Sequence, residues 1–426
     1  MPARGLLVPN KLKPSKTSPV DRIVALKLGL TAALLVLILV LALNRDFYTD
    51  SMTSAFLSLA LASALIVLVM LRRSSLDLLW VATGGLFLAV LDYRVMDFKP
   101  IFMAGFSFAG LAALAVLGTH TIWAEGSERK LLFYGFFPSV LFVGSEYMAS
   151  TLLDLTEKLH PKCFDLFLYS FDGSLRVQFS FLMGQLFWTH LWVRFVCLVI
   201  YIALPLPLAL VYAAQLRQKR EAAFAVMLAF LVTGPVGVLF YNMLPAIGPR
   251  ALFGATFPFH PPAIADVMHM TVAPLLRTGV RNAMPSLHTA WVLLVWWNSK
   301  GLARWIRAIA MSFVILTVMA TLGTGEHYFI DLVVAFPFAL MVQAACTYSQ
   351  PFRSGARRNA FLFGTFVTLI WMALLSFATS IFWITPVLPW AMVVATVAPT
   401  ILLWNRLMND EPQEAPLKAR AAAATA

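Results

Sequence analysis

Charge is what this sequence has least of. Only 12% of its 426 residues are charged while 60% are hydrophobic, and the mean hydropathy is +0.81. A soluble chain carries about a quarter of its residues as Asp, Glu, Lys and Arg to cover its surface, so a soluble globular protein is excluded. Cysteine is also scarce. Cys163, Cys197 and Cys346 show neither metal nor redox spacing, and Cys197 and Cys346 sit in apolar runs as packing residues. With 20 acidic residues and 7 histidines in the whole chain, no carboxylate cluster or histidine spacing suited to a metal is found, and no metal or cofactor is expected. No internal repeat stands out.

What is abundant is apolar runs near the length of about 20 residues that crosses a bilayer as a helix. They fall at 23–43, 52–71, 76–91, 101–119, 131–153, 187–212, 222–244, 286–302, 306–322, 329–345, 360–384 and 387–404. The spacing predicts an all-α integral membrane protein of about 12 transmembrane helices. The first run is too long and too uniformly apolar for a cleaved leader and reads as a retained span.

Basic residues set the orientation. Arg4, Lys11, Arg22, the pairs Arg72/Arg73 and Arg129/Lys130, then Arg217, Lys300, Arg304, Arg353 and Arg406 fall in alternate connections. Both termini are therefore expected in the cytoplasm. The net charge of +12 reads as this topology signal and not as a nucleic-acid footprint. The tail from Asn409 is polar, then alanine-rich, and reads as disordered. A bacterial inner membrane is the expected location; in a eukaryotic cell the outer face would be luminal.

Two polar stretches, "MPSLHTA" at 284–290 and "GTGEHYFIDLV" at 323–333, then share the non-cytoplasmic face. The outer loop at 245–284 carries Arg250, Arg277 and Arg281 against one acid, Asp266. Three arginines on the side that topology normally depletes point to an anionic ligand, because the guanidinium fork matches phosphate oxygens. His327 and Asp331, four apart, share a helix face. A carboxylate that fixes one ring nitrogen leaves the other nucleophilic. His288 is placed to protonate a leaving oxygen. Ser286, at a helix start with free backbone N–H groups, can take a phosphate oxygen. Together these are the parts for phosphoryl transfer through a phosphohistidine. Tyr241 and Asn242 are candidates to line the site.

"PSLH" at 285–288 and "HYFID" at 327–331 resemble the PSxH and HxxxD motifs of the type-2 phosphatidic acid phosphatase superfamily. The resemblance implies His327 as nucleophile, Asp331 as its orienting partner and His288 as acid. The phosphatase branch has Ser-Arg where this chain has Ala320 and Thr321, and its lysine-led first motif is missing, although Pro249-Arg250 falls in roughly its place. PSLH followed by HYxxD without Ser-Arg is closer to the inositol phosphorylceramide synthase branch, whose members move a phosphorylated head group from a lipid to an alcohol. "LYSFDGSLRVQF" at 168–179 resembles a loop of that branch, with Asp172 either a substrate-loop residue or the start of a turn. The implied organisation is a basic segment at 1–22, four accessory helices at 23–130 and a six-helix core at 131–348. Two further helices at 349–408 and the tail at 409–426 complete it.

The expected partners are a phospholipid or polyprenyl-phosphate donor, an alcohol or lipid acceptor and the bilayer. With water as acceptor the same site is a lipid phosphatase. Two more distant readings are a polyprenyl-phosphate-sugar glycosyltransferase, for which Asp46 and Asp50 of the first outer loop are the only acids in place, and a transporter, which the span count permits but no related halves support.

Overall fold

A computed structural model of the chain describes residues 19–44, 51–96, 102–218 and 220–409. The basic segment before residue 19, Asp46, Asp50 and the tail from residue 410 lie outside them. Five helices come first: α1 (Pro19–Ala42), α2 (Ser51–Leu71), α3 (Ser75–Met96), α4 (Phe102–Trp123) and α5 (Gly126–Leu159). After the short strand β1 (Lys162–Cys163) come α6 (Asp165–Ser174), α7 (Phe179–Thr189), α8 (Leu191–Ile202), α9 (Pro205–Gln218) and α10 (Arg220–Met243). The loop beyond α10 holds α11 (Pro249–Phe253), α12 (Ile264–His269) and β2 (Leu275–Leu276), which pairs antiparallel with β1. The chain closes with α13 (Leu287–Asn298), α14 (Arg304–Gly323), α15 (Phe329–Cys346), α16 (Gly355–Phe377) and α17 (Val387–Asn409).

The chain is an all-α membrane protein. Among the described residues, eight helices (α1, α3, α4, α10, α14, α15, α16 and α17) are long and apolar enough to cross a bilayer, nine if α7 and α8 count as one broken span. That is fewer than the twelve expected, for identifiable reasons. The run at 187–212 is not one helix, because α7 and α8 meet at a 114° bend and α9 starts anew at Pro205. The apolar part of α2 is only Ala55–Leu71. In α5 the apolar stretch lies within a helix of 34 residues whose ends carry Glu128, Arg129, Lys130, Glu157 and Lys158. Helix α13 has 12 residues and is mostly buried among its neighbours, so it need not reach both membrane surfaces.

Two apolar cores hold the helices. One joins α1–α5 to α9 and parts of α10, α13 and α14; the other joins α6, α10, α13 and α15–α17. Charged residues pin the ends of α1–α5 to one another. Asp77, 4% exposed, accepts from Arg72 at 3.0 Å and contacts His120 Nε2 at 2.8 Å. Arg72 also reaches Glu128 at 2.7 Å, and Lys27 meets Glu125 at 3.2 Å. A carboxylate buried in an apolar bundle is costly unless paired, and Asp77 has two partners.

Candidate active site

The site is built where the starts of α13 and α15 meet. Ser286 caps α13: its hydroxyl accepts from the Thr289 N–H at 3.4 Å and from the Thr289 hydroxyl at 3.0 Å. The Ser286 N–H donates to the Asp331 carbonyl at 3.1 Å, so the two motifs are bonded to each other through their backbones and that N–H is not free for a phosphate oxygen as the sequence suggested; the Ser286 hydroxyl proton is what it has left to donate. His288 follows in the first turn of α13.

His327 sits in the turn between α14 and α15, 3% exposed. Its N–H donates to Thr321 O at 3.3 Å, and its carbonyl accepts from Ser180 Oγ at 2.8 Å. The ring Nδ1 lies 2.8 Å from Ala283 O. A carbonyl oxygen only accepts, so Nδ1 carries the proton and Nε2 keeps its lone pair. Burial pushes the His327 ring down to about 4, against the opposing pull of Glu326 and the Ala283 bond. At neutral pH the ring is uncharged and nucleophilic at Nε2.

Asp331 does not hold that ring as closely as the i,i+4 spacing suggests. Its Oδ2 is 3.4 Å from His327 Nδ1, beyond the Ala283 carbonyl, and accepts the Tyr328 N–H at 2.7 Å. Its Oδ1 is buried without a hydrogen-bond partner among the described residues.

The turn carrying His327 is fixed from outside. Asp172 lies inside helix α6, neither in a turn nor on an exposed loop, and is 2% exposed. Its Oδ2 accepts the Phe329 N–H at 2.8 Å and its Oδ1 the Ile330 N–H at 3.2 Å, capping α15 from another helix. Asp165, 0% exposed, accepts from Gly248 N at 2.8 Å, Ile247 N at 3.1 Å and Tyr328 Oη at 3.0 Å. Burial raises both carboxyls above the usual range, with the donated N–H groups opposing it. Gly248 has φ +102°, and a Cβ there would run into the Glu326 carbonyl, so glycine lets this loop close against the histidine turn.

The three arginines separate. Arg281 is 0% exposed, and its guanidinium donates to His160 O at 2.9 Å, Pro161 O at 3.1 Å, Arg277 O at 2.6 Å and Gly279 O. Four backbone carbonyls consume it, so the expectation that it binds phosphate is corrected: it clamps the outer loop. Arg277 is exposed and contributes its carbonyl to that clamp. Arg250 is exposed, and its N–H donates to Gly325 O at 2.9 Å, which holds it beside the His327 turn. Asn242 is also spoken for: its Oδ1 meets His160 Nε2 at 2.9 Å and its Nδ2 donates to Val238 O at 2.7 Å. It is structural, whereas buried Tyr241 faces the backbone of Leu287 at the start of α13.

Residues that the sequence did not single out complete the site. Tyr201 of α8 stacks on His288 with ring centroids 4.0 Å apart, and Phe56 of α2 lies 5.7 Å from the same ring. Among the described residues no cluster of three or more His, Cys, Asp or Glu is placed to hold a metal ion.

Residues 166–345 match the family model of the PAP2 superfamily. Over that segment the chain is similar to the PAP2 superfamily. The segment contains His288, His327, Asp331 and every residue of the α15 cap, and lies within the core expected at 131–348. The match makes the chain a membrane enzyme of the phosphatase or phosphotransferase type, with lipid substrates. No curated protein and no solved structure matches the chain. Helices α1–α5, α16 and α17 lie outside the PAP2 segment, yet Phe56 reaches its histidine from α2.

Proposed function

We propose that this PAP2 enzyme moves a phosphoryl or phospho-head-group, of the inositol-phosphate type, from a lipid donor to an alcohol acceptor through a phosphohistidine on His327. The observation that carries the reading is the His327 ring itself, with Nδ1 bonded to Ala283 O at 2.8 Å and Nε2 left as a lone pair. Nε2 attacks phosphorus and the P–O bond to the leaving group breaks. His288, half-buried and neutral at rest, is held as imidazolium by the negative charge of the bound phosphate and gives that oxygen its proton. The acceptor hydroxyl then attacks the phosphorus, returns a proton to His288 and frees His327. Asp331 supports the ring from 3.4 Å; Ser286 and Arg250 are the phosphate-side groups, with Arg277 on the rim.

Transfer to an alcohol is favoured over hydrolysis because His327 is 3% exposed, and a site that excludes water protects a reactive intermediate from it. The PSLH and HYxxD pattern without Ser-Arg supports the inositol phosphorylceramide synthase type. The non-cytoplasmic placement is supported by charge: α13 starts at the site and runs away from it toward Lys300 and Arg304, the kind of residues that mark cytoplasmic ends.

The test is purified protein in lipid with a phospholipid labelled at phosphorus, offered inositol, diacylglycerol and ceramide-type alcohols together. Label is expected on an alcohol, and none should move in His327→Gln. Label released only in water-soluble form, as the phosphorylated head group or as free phosphate, would replace transfer by hydrolysis.

A further inference from the structure

His288 lies at a meeting of three elements. It belongs to α13, but its ring is packed by Tyr201 from α8 and Phe56 from α2. The Tyr201 hydroxyl is 3.0 Å from His288 Nδ1, while the two rings stack at 4.0 Å and 24°. Phe56 lies 5.7 Å from the histidine ring and 6.0 Å from the tyrosine ring. Trp291 closes the side of His288 edge-on at 5.6 Å, and its Nε1 is tied to Phe230 O at 3.1 Å. A ring held this way has few orientations open to it.

The chemistry proposed for His288 needs one nitrogen to do all the proton work. As imidazolium it must give a proton to the leaving oxygen, and as the resulting neutral ring it must take one from the acceptor hydroxyl. Both transfers use the same nitrogen only if the other keeps its proton throughout. The contacts assign Nδ1 to the tyrosine oxygen, so Nε2 is the nitrogen left for the reacting oxygen.

We propose that Tyr201 is a positioning residue whose hydroxyl oxygen accepts the His288 Nδ1–H, so that His288 works through Nε2 in both half-reactions, with Phe56 of the accessory bundle holding the pair in place. The inference rests on the proposed role of His288. It makes the two histidines alike: each keeps Nδ1–H on a neutral oxygen, Ala283 O for His327 and Tyr201 Oη for His288, and each presents Nε2. It also gives α2, outside the PAP2 segment, a part in the site. No atom is lost or gained at Tyr201, since its own proton stays on its oxygen.

The test is nitrogen NMR on the full-length protein in nanodiscs with ¹⁵N-labelled histidine, the His288 signals being identified by their loss in His288→Gln. Above its titration the wild-type His288 ring should carry its proton on Nδ1. In Tyr201→Phe that preference should be lost, and kcat should fall about 10- to 100-fold with KM within about threefold. A neutral wild-type ring protonated on Nε2 would overturn the inference, and it can be read even where Tyr201→Phe does not fold. A Tyr201→Phe protein that keeps both the tautomer and the turnover would overturn it as well. Failure of the underlying reading looks different: His288→Gln would then retain full turnover, whatever the tautomer.

Discussion

Replacing Asp172 by alanine should damage the enzyme through stability and not through substrate affinity. The carboxylate accepts two N–H groups at the start of α15, from Phe329 at 2.8 Å and Ile330 at 3.2 Å. Ile330 is fully buried, so its orphaned N–H costs the whole desolvation penalty, about 1–3 kcal/mol. Phe329 is half-buried, and water can partly replace its acceptor, which puts its share at about 1 kcal/mol. Loss of a negative charge at a helix start adds about 0.3–1 kcal/mol. Relief of burying the carboxylate works the other way, since burial, and after it the nearby Asp331 carboxylate, raises that carboxyl. The balance is a loss of about 2–4 kcal/mol. Asp172→Asn keeps an acceptor oxygen and should lose about half as much. The assay is a denaturant titration of the purified protein in mixed micelles, followed by tryptophan fluorescence, with initial rates on the fraction that remains folded. An Asp172→Ala protein of wild-type stability with a raised KM would refute the reasoning and restore Asp172 to a substrate loop.

Other expectations follow from the same geometry. Arg281→Ala should cost about 2–4 kcal/mol, because it strands buried carbonyls, and should leave KM alone, as denaturant titration and initial rates will show. Arg250→Ala, at an exposed position beside the His327 turn, should raise KM about 10-fold, the loss of one charge-assisted phosphate contact, with no change in unfolding midpoint. Gly248→Ala should lower stability and kcat together, since its Cβ meets the Glu326 carbonyl beside His327. The unfolded chain's histidine protonates near 6.5, whereas folded His327 does so only at about 4. Between those values the unfolded state binds the extra proton, so stability should fall as pH drops from 6.5 to 4. His327→Gln should make that part of the stability–pH curve shallower.

Much of this was legible in the sequence. Long apolar runs located α1, α3, α4, α10 and α14–α17, because a bilayer demands length and apolarity of the segments that cross it. The run at 187–212 misled: hydropathy averages over the break at His190 and the restart at Pro205, and carries no sign of direction. The two histidine motifs were visible because ionisable residues stand out in an apolar chain. The arginines were read by their charge, and only the fold separates Arg281, buried among carbonyls, from exposed Arg250. Asp172 was legible as a residue but not as a cap, because its partners lie over 150 positions away. Tyr201 and Phe56 gave no signal at all, being aromatic residues within apolar runs, and Asp165 only the weak one of an acid beside apolar neighbours.

The central claim is a covalent bond between phosphorus and His327. The most direct measurement is rapid mixing with a phosphorus-labelled lipid donor, quenching in alkaline detergent and mapping of the labelled peptide. The expected result is label on the peptide containing His327, stable in base, released by acid, and absent in His327→Gln. Turnover that proceeds with no labelled protein, or label that persists in His327→Gln, would contradict the account.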